Sequence, residues 1–336
     1  MSPKSKSKSK ALAKVAKPPA AATQQQNQTQ RLAGVVGFVG LILVLAAVSS
    51  PLSQLVLSPV YGSIPSYQHH QQALVFTTLA AFIARPSIEH RVPANLKDYV
   101  PVLAFWIPVI QFFLFKISFQ LGPGYGPLIT EYLTYFPLLF LASLTSARLL
   151  ADLKIATESR LMGELIPAVG PYMFFSFMEK ATTVALSRIV GTSLLFTRTS
   201  LQLIVATLFS ILIPSKLLAF ALPALLHTVW VNPHFQSTHT TALLNTTLQS
   251  YNWTLIDRKE SLTGYISVLE SRESQFRLLR CDHSLLGGEW LLTPERIAQG
   301  QQVAEPVYQV FTMLEAVRLI ETPSKRAEKK KSALVM

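Results

Sequence analysis

In the first two thirds of the sequence, the residues that could do chemistry are charged side chains that lie within apolar segments. Glu131, Glu164, Glu179 and Lys180 lie within or at the end of long apolar runs. An ionised side chain is costly in an apolar environment, so such groups are either functional or compensated. They would either form a path for protons or a polar solute, or lie near the ends of the runs and pair with one another.

The last third contains the triplet Asp282-His283-Ser284, whose residue types match a hydrolytic triad. Neighbouring side chains on an extended chain point to opposite faces, so these three cannot relay a proton to one another. Five other histidines lack the spacing of a metal motif: His69, His70, His227, His234 and His239. Cys281 is the single cysteine, which excludes an internal disulfide. The sequence therefore predicts no catalytic residue and no metal ligand.

The composition excludes several classes of protein. Half of the 336 residues are hydrophobic and 14% are charged, whereas roughly a quarter are charged in soluble domains. This argues against an ordinary soluble enzyme, a disordered chain and a disulfide-rich scaffold. The net charge of +12 comes mostly from residues 1–31 and 324–336. Because basic residues do not cluster on a folded face, no nucleic-acid partner is predicted.

Seven apolar runs occupy residues 32–231 and predict a multi-span α-helical membrane bundle of six or seven helices. The runs are Leu32–Val48, Ala73–Ala84, Tyr99–Phe119, Pro127–Ala147, Leu161–Met178, Leu201–Ile213 and Leu217–Val231. Two of them are short, which leaves the number open between six and seven. Lys and Arg counts in the first loops alternate between high and low, which predicts a cytosolic N-terminus. The expected location is an integral, multi-pass position in a lipid bilayer, with the identity of the membrane left open.

The composition becomes more polar at Asn232, and β-forming residues appear. Trp253–Ile256 is predicted as a strand, and Gly264–Glu270 with Phe276–Cys281 as a hairpin. Glu305-Pro306 is predicted to open an amphipathic helix. An apolar strand is predicted at the end of the chain. The predicted organisation is a disordered basic tail (1–31), a transmembrane domain (32–231), a β-hairpin domain (232–304) and a helix, charged loop and strand (305–336).

Four segments of this last third resemble the membrane-tethered branch of the spermidine/spermine synthase family: Gly264–Glu270, Arg280–Trp290, Pro306–Phe311 and Met313–Leu319. The resemblance implies a polyamine aminopropyltransferase in which a multi-span region precedes a β-hairpin domain and a Rossmann-like domain. Residues 305–336 would then be the first part of that Rossmann-like domain. It also implies a homo-oligomer formed through the hairpin domain.

The resemblance implies few site residues. In the family, a glycine-rich turn follows the strand and holds decarboxylated S-adenosylmethionine, but this sequence ends at Met336. The chain is therefore expected to be catalytically incomplete, without cofactor-binding residues, and that co-substrate is implied for a longer parent. Asp282 resembles the Asp of an Asp-Gly turn, with His283 in place of the glycine. Tyr308 resembles a substrate-binding tyrosine, and Gln309 replaces the histidine beside it.

An alternative function comes from the charged residues in the apolar runs. The protein would then be a small-solute transporter or a membrane scaffold, with the C-terminal third as a regulatory appendage. Glu131, Glu164 and Glu179 would be the important residues.

Overall fold

The structure is a computed structural model that describes residues 20–89, 91, 96–153, 160–302 and 304–308, with the backbone alone for 20–28, 89 and 160–168. Its helices are α1 (Ala20–Tyr61), α2 (Ser63–Gln68), α3 (His70–Glu89), α4 (Tyr99–Lys116), α5 (Ser118–Leu133), α6 (Tyr135–Ala151), α7 (Arg160–Ile189), α8 (Arg198–Leu212), α9 (Leu222–Trp230), α10 (Thr238–Gln249) and α11 (Pro294–Ala298). Three short 3₁₀ turns lie at Leu96–Asp98, Leu194–Phe196 and Lys216–Ala221. Together α1 to α9 are called the helical part below.

The helical part is organised around α1, which packs against α5, α6, α7 and α8. Apolar side chains of α1, α6 and α8 meet in the core, and Ile42, Leu139 and Phe209 are fully buried there. Helix α1 begins at Ala20, inside the segment expected to be disordered. Its first residues are mainly Ala and Gln, which favour helix. The helix therefore starts before the apolar run does.

Helix α5 contains a kink that sets the direction of its second half. Gly122 has φ 68° and ψ 168°, a backbone conformation that glycine adopts without a steric penalty. The kink lies between two of the apolar runs, Tyr99–Phe119 and Pro127–Ala147, and helix continues on both sides of it. The second half of α5 carries Glu131 into the interior, where it is 1% exposed.

The prediction of six or seven membrane-spanning helices is wrong. In the part of the chain that the structure describes, three helical segments are long and apolar enough to cross a membrane: Thr29–Tyr61, Leu96–Lys116 and Ser118–Ala151. Two of the predicted spans form helices of only 15 and 9 residues, α8 and α9, and a span needs about 20. The apolar run in α3 lies in a helix that carries buried polar side chains, among them His70 and Thr78.

The last part of the described chain is a small antiparallel sheet. Its strands are β1 (Trp253–Glu260), β2 (Tyr265–Ser271), β3 (Phe276–Cys281), β4 (Ser284–Trp290) and β5 (Glu305–Pro306), and they lie side by side in chain order. β2 and β3 lie where the hairpin was predicted, with Ser267 opposite Arg280. Helix α10 packs against β1.

The prediction that a helix opens at Glu305-Pro306 is wrong. These two residues form β5 and pair with Glu289 and Trp290 of β4 in antiparallel register, so they extend the sheet instead of opening a helix. Proline is tolerated there because β5 is an edge strand. The rest of that predicted helix and the predicted terminal strand lie outside the described residues.

Candidate functional site

The helical part and the sheet are joined by a buried ion pair between Arg198 and Glu260. Arg198 is the first residue of α8, and the preceding Thr197 caps that helix by accepting a hydrogen bond from the amide of Ser200. Arg198 Nη1 lies 3.0 Å from Glu260 Oε1, and both side chains are fully buried. The Arg198 amide donates to the same oxygen at 2.6 Å, and Nη2 donates to the carbonyl of Leu262 at 3.0 Å. Burial raises the pKa of Glu260, and the guanidinium opposes that rise.

A cavity of about 420 Å³ lies between the ends of α1, α4 and α5 and the sheet. We call it the junction cavity. Six apolar side chains line it and are called its apolar side below: Phe115, Leu244, Leu248, Leu255, Ile266 and Leu269. Its polar lining residues are called the polar side. The site is therefore amphipathic, as small-molecule sites commonly are.

Two arginines from the sheet form part of the polar side. Arg258 of β1 donates to the carbonyl of Pro233 at 2.6 Å, to Thr241 Oγ1 at 2.9 Å and to Thr240 Oγ1 at 3.2 Å. Arg280 of β3 donates to the backbone oxygen of Asp282 through Nε at 2.7 Å and also through Nη2. The partners of both guanidinium groups are uncharged oxygens, so hydrogen bonding fixes their positions without neutralising their charge.

Tyr265 and His234 form the middle of the polar side. Their rings lie 5.5 Å apart between centroids, and Asn232 positions the His234 backbone by accepting its amide hydrogen at 3.0 Å. Burial lowers the pKa of His234 to about 4, with a smaller contribution from Arg258. Burial also raises the pKa of Tyr265. At pH 7 the wall therefore carries a neutral imidazole and a protonated phenol.

The hydroxyl of Tyr265 is buried and has no hydrogen-bond partner among the described residues. Buried polar groups are nearly always hydrogen-bonded, and an exception calls for an explanation. Since Tyr265 lines the junction cavity, a ligand in the cavity could supply the missing acceptor.

Of the three predicted substrate-binding residues, one lines this cavity. Asp282 occupies the turn between β3 and β4 with φ 51°, and its Oδ1 accepts a hydrogen bond from the Tyr265 amide at 2.7 Å. Gly264 leaves room for this carboxylate, since a Cβ there would collide with it. Tyr308 does not line the cavity, and its hydroxyl donates to the carbonyl of Leu285 at 3.2 Å. Gln309 lies outside the described residues.

A second polar cluster lies inside the helical part and is centred on His70. His70 Nδ1 lies 2.8 and 2.9 Å from the two carboxylate oxygens of Glu131, and Nε2 lies 2.8 Å from Ser50 Oγ. Ser50 donates to Glu179 at 3.1 Å, and Ser53 donates to Glu131 at 2.9 Å. Glu131 and Glu179 are therefore compensated by partners on other helices.

The other two charged candidates do not join this cluster in the described structure. Lys180 is exposed. The side chain of Glu164 lies outside what the structure describes.

The order Glu131–His70–Ser50 resembles a hydrolytic triad, but the surroundings do not suit one. Ser50 is fully buried, and its hydroxyl hydrogen is directed to Glu179. The small cavity beside Ser49 and Ser53 has a volume of about 20 Å³, enough for one water molecule but not for a substrate. We therefore interpret the cluster as a structural network. Within the described ranges, no group of three or more His, Cys, Asp or Glu could hold a metal ion.

Sequence reasoning did not identify the residues that form the junction. His234 was considered only as a histidine without the spacing of a metal motif, and Tyr265 only as part of the segment Gly264–Glu270. Arg198, Arg258 and Glu260 carried no motif. An arginine at the start of an apolar helix is a signal that could have been used, because such a group needs a partner when buried.

Comparison with known proteins identifies one informative similarity. A curated protein of Emericella nidulans, described as an N-terminal histidine N-methyltransferase, is 39% identical over 316 residues, which are 93% of this chain. The chain spans 56% of that relative's length. No family model matches the chain, and no solved structure matches it.

This similarity overturns the family prediction. The relative that matches nearly the whole chain is a methyltransferase and not a spermidine/spermine synthase, so the prediction of a membrane-tethered aminopropyltransferase is wrong. The alternative of a transporter or scaffold is not supported either. A co-substrate of the adenosylmethionine type is consistent with the relative, whereas the decarboxylated form belonged to the rejected family. The chain is thus similar, over almost all of its residues, to part of an N-terminal histidine N-methyltransferase.

Proposed function

We propose that this protein takes part in methyl transfer from S-adenosylmethionine to a nitrogen of an N-terminal histidine in a polypeptide. The observation that carries the proposal is the 39% identity over 316 residues with a protein of that description. A similarity of this extent involves the helical part and the sheet together. By comparison, the earlier resemblance rested on four short segments.

The chemistry sets the requirements of such a site. The lone pair of a histidine nitrogen forms a bond to the methyl carbon, and the carbon–sulfur pair returns to sulfur, which becomes a neutral thioether. The attacking nitrogen must be unprotonated so that its lone pair is available, and the cationic methylated product then loses one proton to become neutral. A desolvated site that orients the two reactants would supply much of the rate enhancement.

The substrate-binding roles of Asp282, Tyr308 and Gln309 stay predictions, and the geometry favours none of them. Asp282 already accepts a hydrogen bond from the Tyr265 amide. Tyr308 follows β5 and does not line the cavity.

The methyl-transfer proposal is tested with the longest natural form of the protein, S-adenosylmethionine and a synthetic peptide that begins with histidine. We expect mass spectrometry to show one added methyl group on the first residue. A peptide beginning with alanine and an N-acetylated copy of the histidine peptide are the matched controls. Absence of transfer to the histidine peptide, or equal transfer to the alanine peptide, would contradict the proposal.

Location and partners stay predictions: an integral membrane position with a cytosolic N-terminus, contact with lipid, a homo-oligomer through the hairpin domain and no nucleic acid. The three long apolar helical segments support contact with lipid. Retention of the protein in the membrane pellet after alkaline carbonate washing is expected, and its release into the supernatant would contradict that location.

A further inference from the structure

We propose that the junction cavity binds an anionic amphiphile, a molecule with an apolar chain and a carboxylate or phosphate head. This ligand is distinct from the methyl donor and from the polypeptide substrate proposed above. The three features that point to it are the mixed apolar and polar lining of the cavity, the charge of its polar side and the unpartnered Tyr265 hydroxyl.

The apolar side suits an alkyl chain. Its six apolar side chains come from four different elements, α4, α10, β1 and β2. The volume of about 420 Å³ lies within the roughly 300–1,000 Å³ that is usual for small-ligand sites. Burial of an alkyl chain is favourable in proportion to the apolar area removed from water.

The charge of the polar side favours an anion. Arg258 and Arg280 both line the cavity, and Asp282, whose backbone oxygen accepts from Arg280, is the one carboxylate in the lining that the structure describes. Among the described residues, Arg198 and Arg277 each form an ion pair with a carboxylate, whereas neither Arg258 nor Arg280 does. An ammonium head would face two guanidinium groups, whereas a carboxylate or phosphate would be attracted by them.

The Tyr265 hydroxyl identifies the kind of contact that the head would make. It is a buried donor without a partner among the described residues, and it remains protonated because burial raises the pKa of Tyr265. A protonated phenol needs an acceptor, and an anionic oxygen is the strongest one available. His234, neutral at pH 7, adds no charge that would oppose an anion.

The test compares two ligands that differ in the sign of the head, dodecanoate and dodecylammonium, on the full chain by isothermal titration calorimetry. We expect saturable binding of dodecanoate and at least tenfold weaker binding of dodecylammonium. Dodecyl phosphate serves as a third ligand, and its affinity relative to dodecanoate separates a phosphate-bearing lipid from a fatty acid as the source. Equal affinity for the two oppositely charged heads would overturn the proposal.

Tyr265→Phe is the decisive variant because it removes one oxygen that has no hydrogen-bond partner among the described residues. We expect it to leave thermal stability unchanged or higher, since it removes an unsatisfied buried group. Its dodecanoate affinity should fall about tenfold, the size of one hydrogen bond to a charged group. Tyr251→Phe is the matched control, since Tyr251 is 72% exposed and does not line the cavity. Unchanged dodecanoate affinity in Tyr265→Phe would contradict the proposal.

A second variant tests the apolar side independently. Leu248→Trp would fill part of the cavity, and we expect it to abolish dodecanoate binding while the helical part stays folded. If dodecanoate instead bound nonspecifically to exposed apolar helices, neither Leu248→Trp nor Tyr265→Phe would change its affinity. If instead the histidine peptide or S-adenosylmethionine displaces dodecanoate competitively, the cavity belongs to the methyl-transfer site and the amphiphile proposal fails. The methylation assay is read separately, so failure of one proposal is distinguishable from failure of the other.

Discussion

Replacement of Arg198 by methionine is expected to lower the free energy of unfolding by about 3–5 kcal/mol, the range seen when one partner of a buried ion pair is removed. Methionine keeps much of the side-chain volume but leaves Glu260 buried without its cation. The hydrogen bond to the Leu262 carbonyl is lost as well. The pKa of Glu260, which burial already raises, should rise further, so that the carboxyl becomes neutral more readily in the variant.

The same sheet provides a matched control for Arg198→Met. Arg277 of β3 pairs with Glu270 of β2 at 2.8 Å, but its side chain is 42% exposed. Arg277→Met should cost less than about 1 kcal/mol, as is usual for ion pairs at the surface. Both variants are measured by urea unfolding followed by circular dichroism.

A double variant distinguishes loss of the pair from loss of packing. Arg198→Met with Glu260→Gln removes the uncompensated carboxylate, so it should be less destabilised than the sum of the two single variants. Equal effects of Arg198→Met and Arg277→Met would show that the ion pair does not hold the helical part and the sheet together.

Replacement of His70 by phenylalanine is expected to have the second largest effect, about 3 kcal/mol or more, because it leaves the Glu131 carboxylate buried without its main partner. His70 and Glu131 are 0% and 2% exposed in their side chains. Phenylalanine preserves the stacking on Tyr135, whose ring centroid lies 5.6 Å from that of His70. The loss therefore reports on the polar network and not on ring packing.

The neighbouring residue provides the control for His70→Phe. His69 is only partly buried, so His69→Phe should change the free energy of unfolding by less than about 0.5 kcal/mol, as for most partly exposed sites. A combined His70→Phe and Glu131→Leu variant should recover much of the loss, since apolar replacement of a whole buried pair is often nearly neutral. If His70→Phe is as stable as His69→Phe, the network does not stabilise the helical part.

The strands of the C-terminal third could be predicted from the sequence, because strand and turn signals are local. β3 coincides with the predicted segment Phe276–Cys281, where β-forming residues follow a polar turn. The conformation of the last described residues could not be predicted from such local signals. Glu305-Pro306 has the local chemistry of a helix start, yet pairing with Trp290 and Glu289 of β4 decides its conformation.

The arrangement of the apolar helices was not predictable from their hydropathy. Composition indicates that a run prefers an apolar environment, but it does not tell lipid from the side chains of other helices. The network around His70 joins residues separated by 61 and 129 positions in the sequence, and no periodicity records such pairings. Glu131 and Glu179 were recognised as unusual, but their partners on α1 and α3 were not.

The junction cavity could not be predicted from the sequence for a similar reason. Its polar side combines Arg258, Tyr265 and Arg280 from three strands with His234 from a connecting segment. Each is ordinary in its own sequence context, and only the register of the sheet brings them together. The family prediction failed because short matching segments carry less information than an alignment over most of the chain.

The order of the strands has a consequence for the kinetics of folding. Each strand of the sheet pairs with its neighbour in the chain, so the loops that must close are short and the entropic barrier to pairing is low. The contact between Arg198 and Glu260, by contrast, closes a separation of 62 residues. The meander should therefore form first and dock onto the helices afterwards, and the junction cavity comes into existence only at that late step.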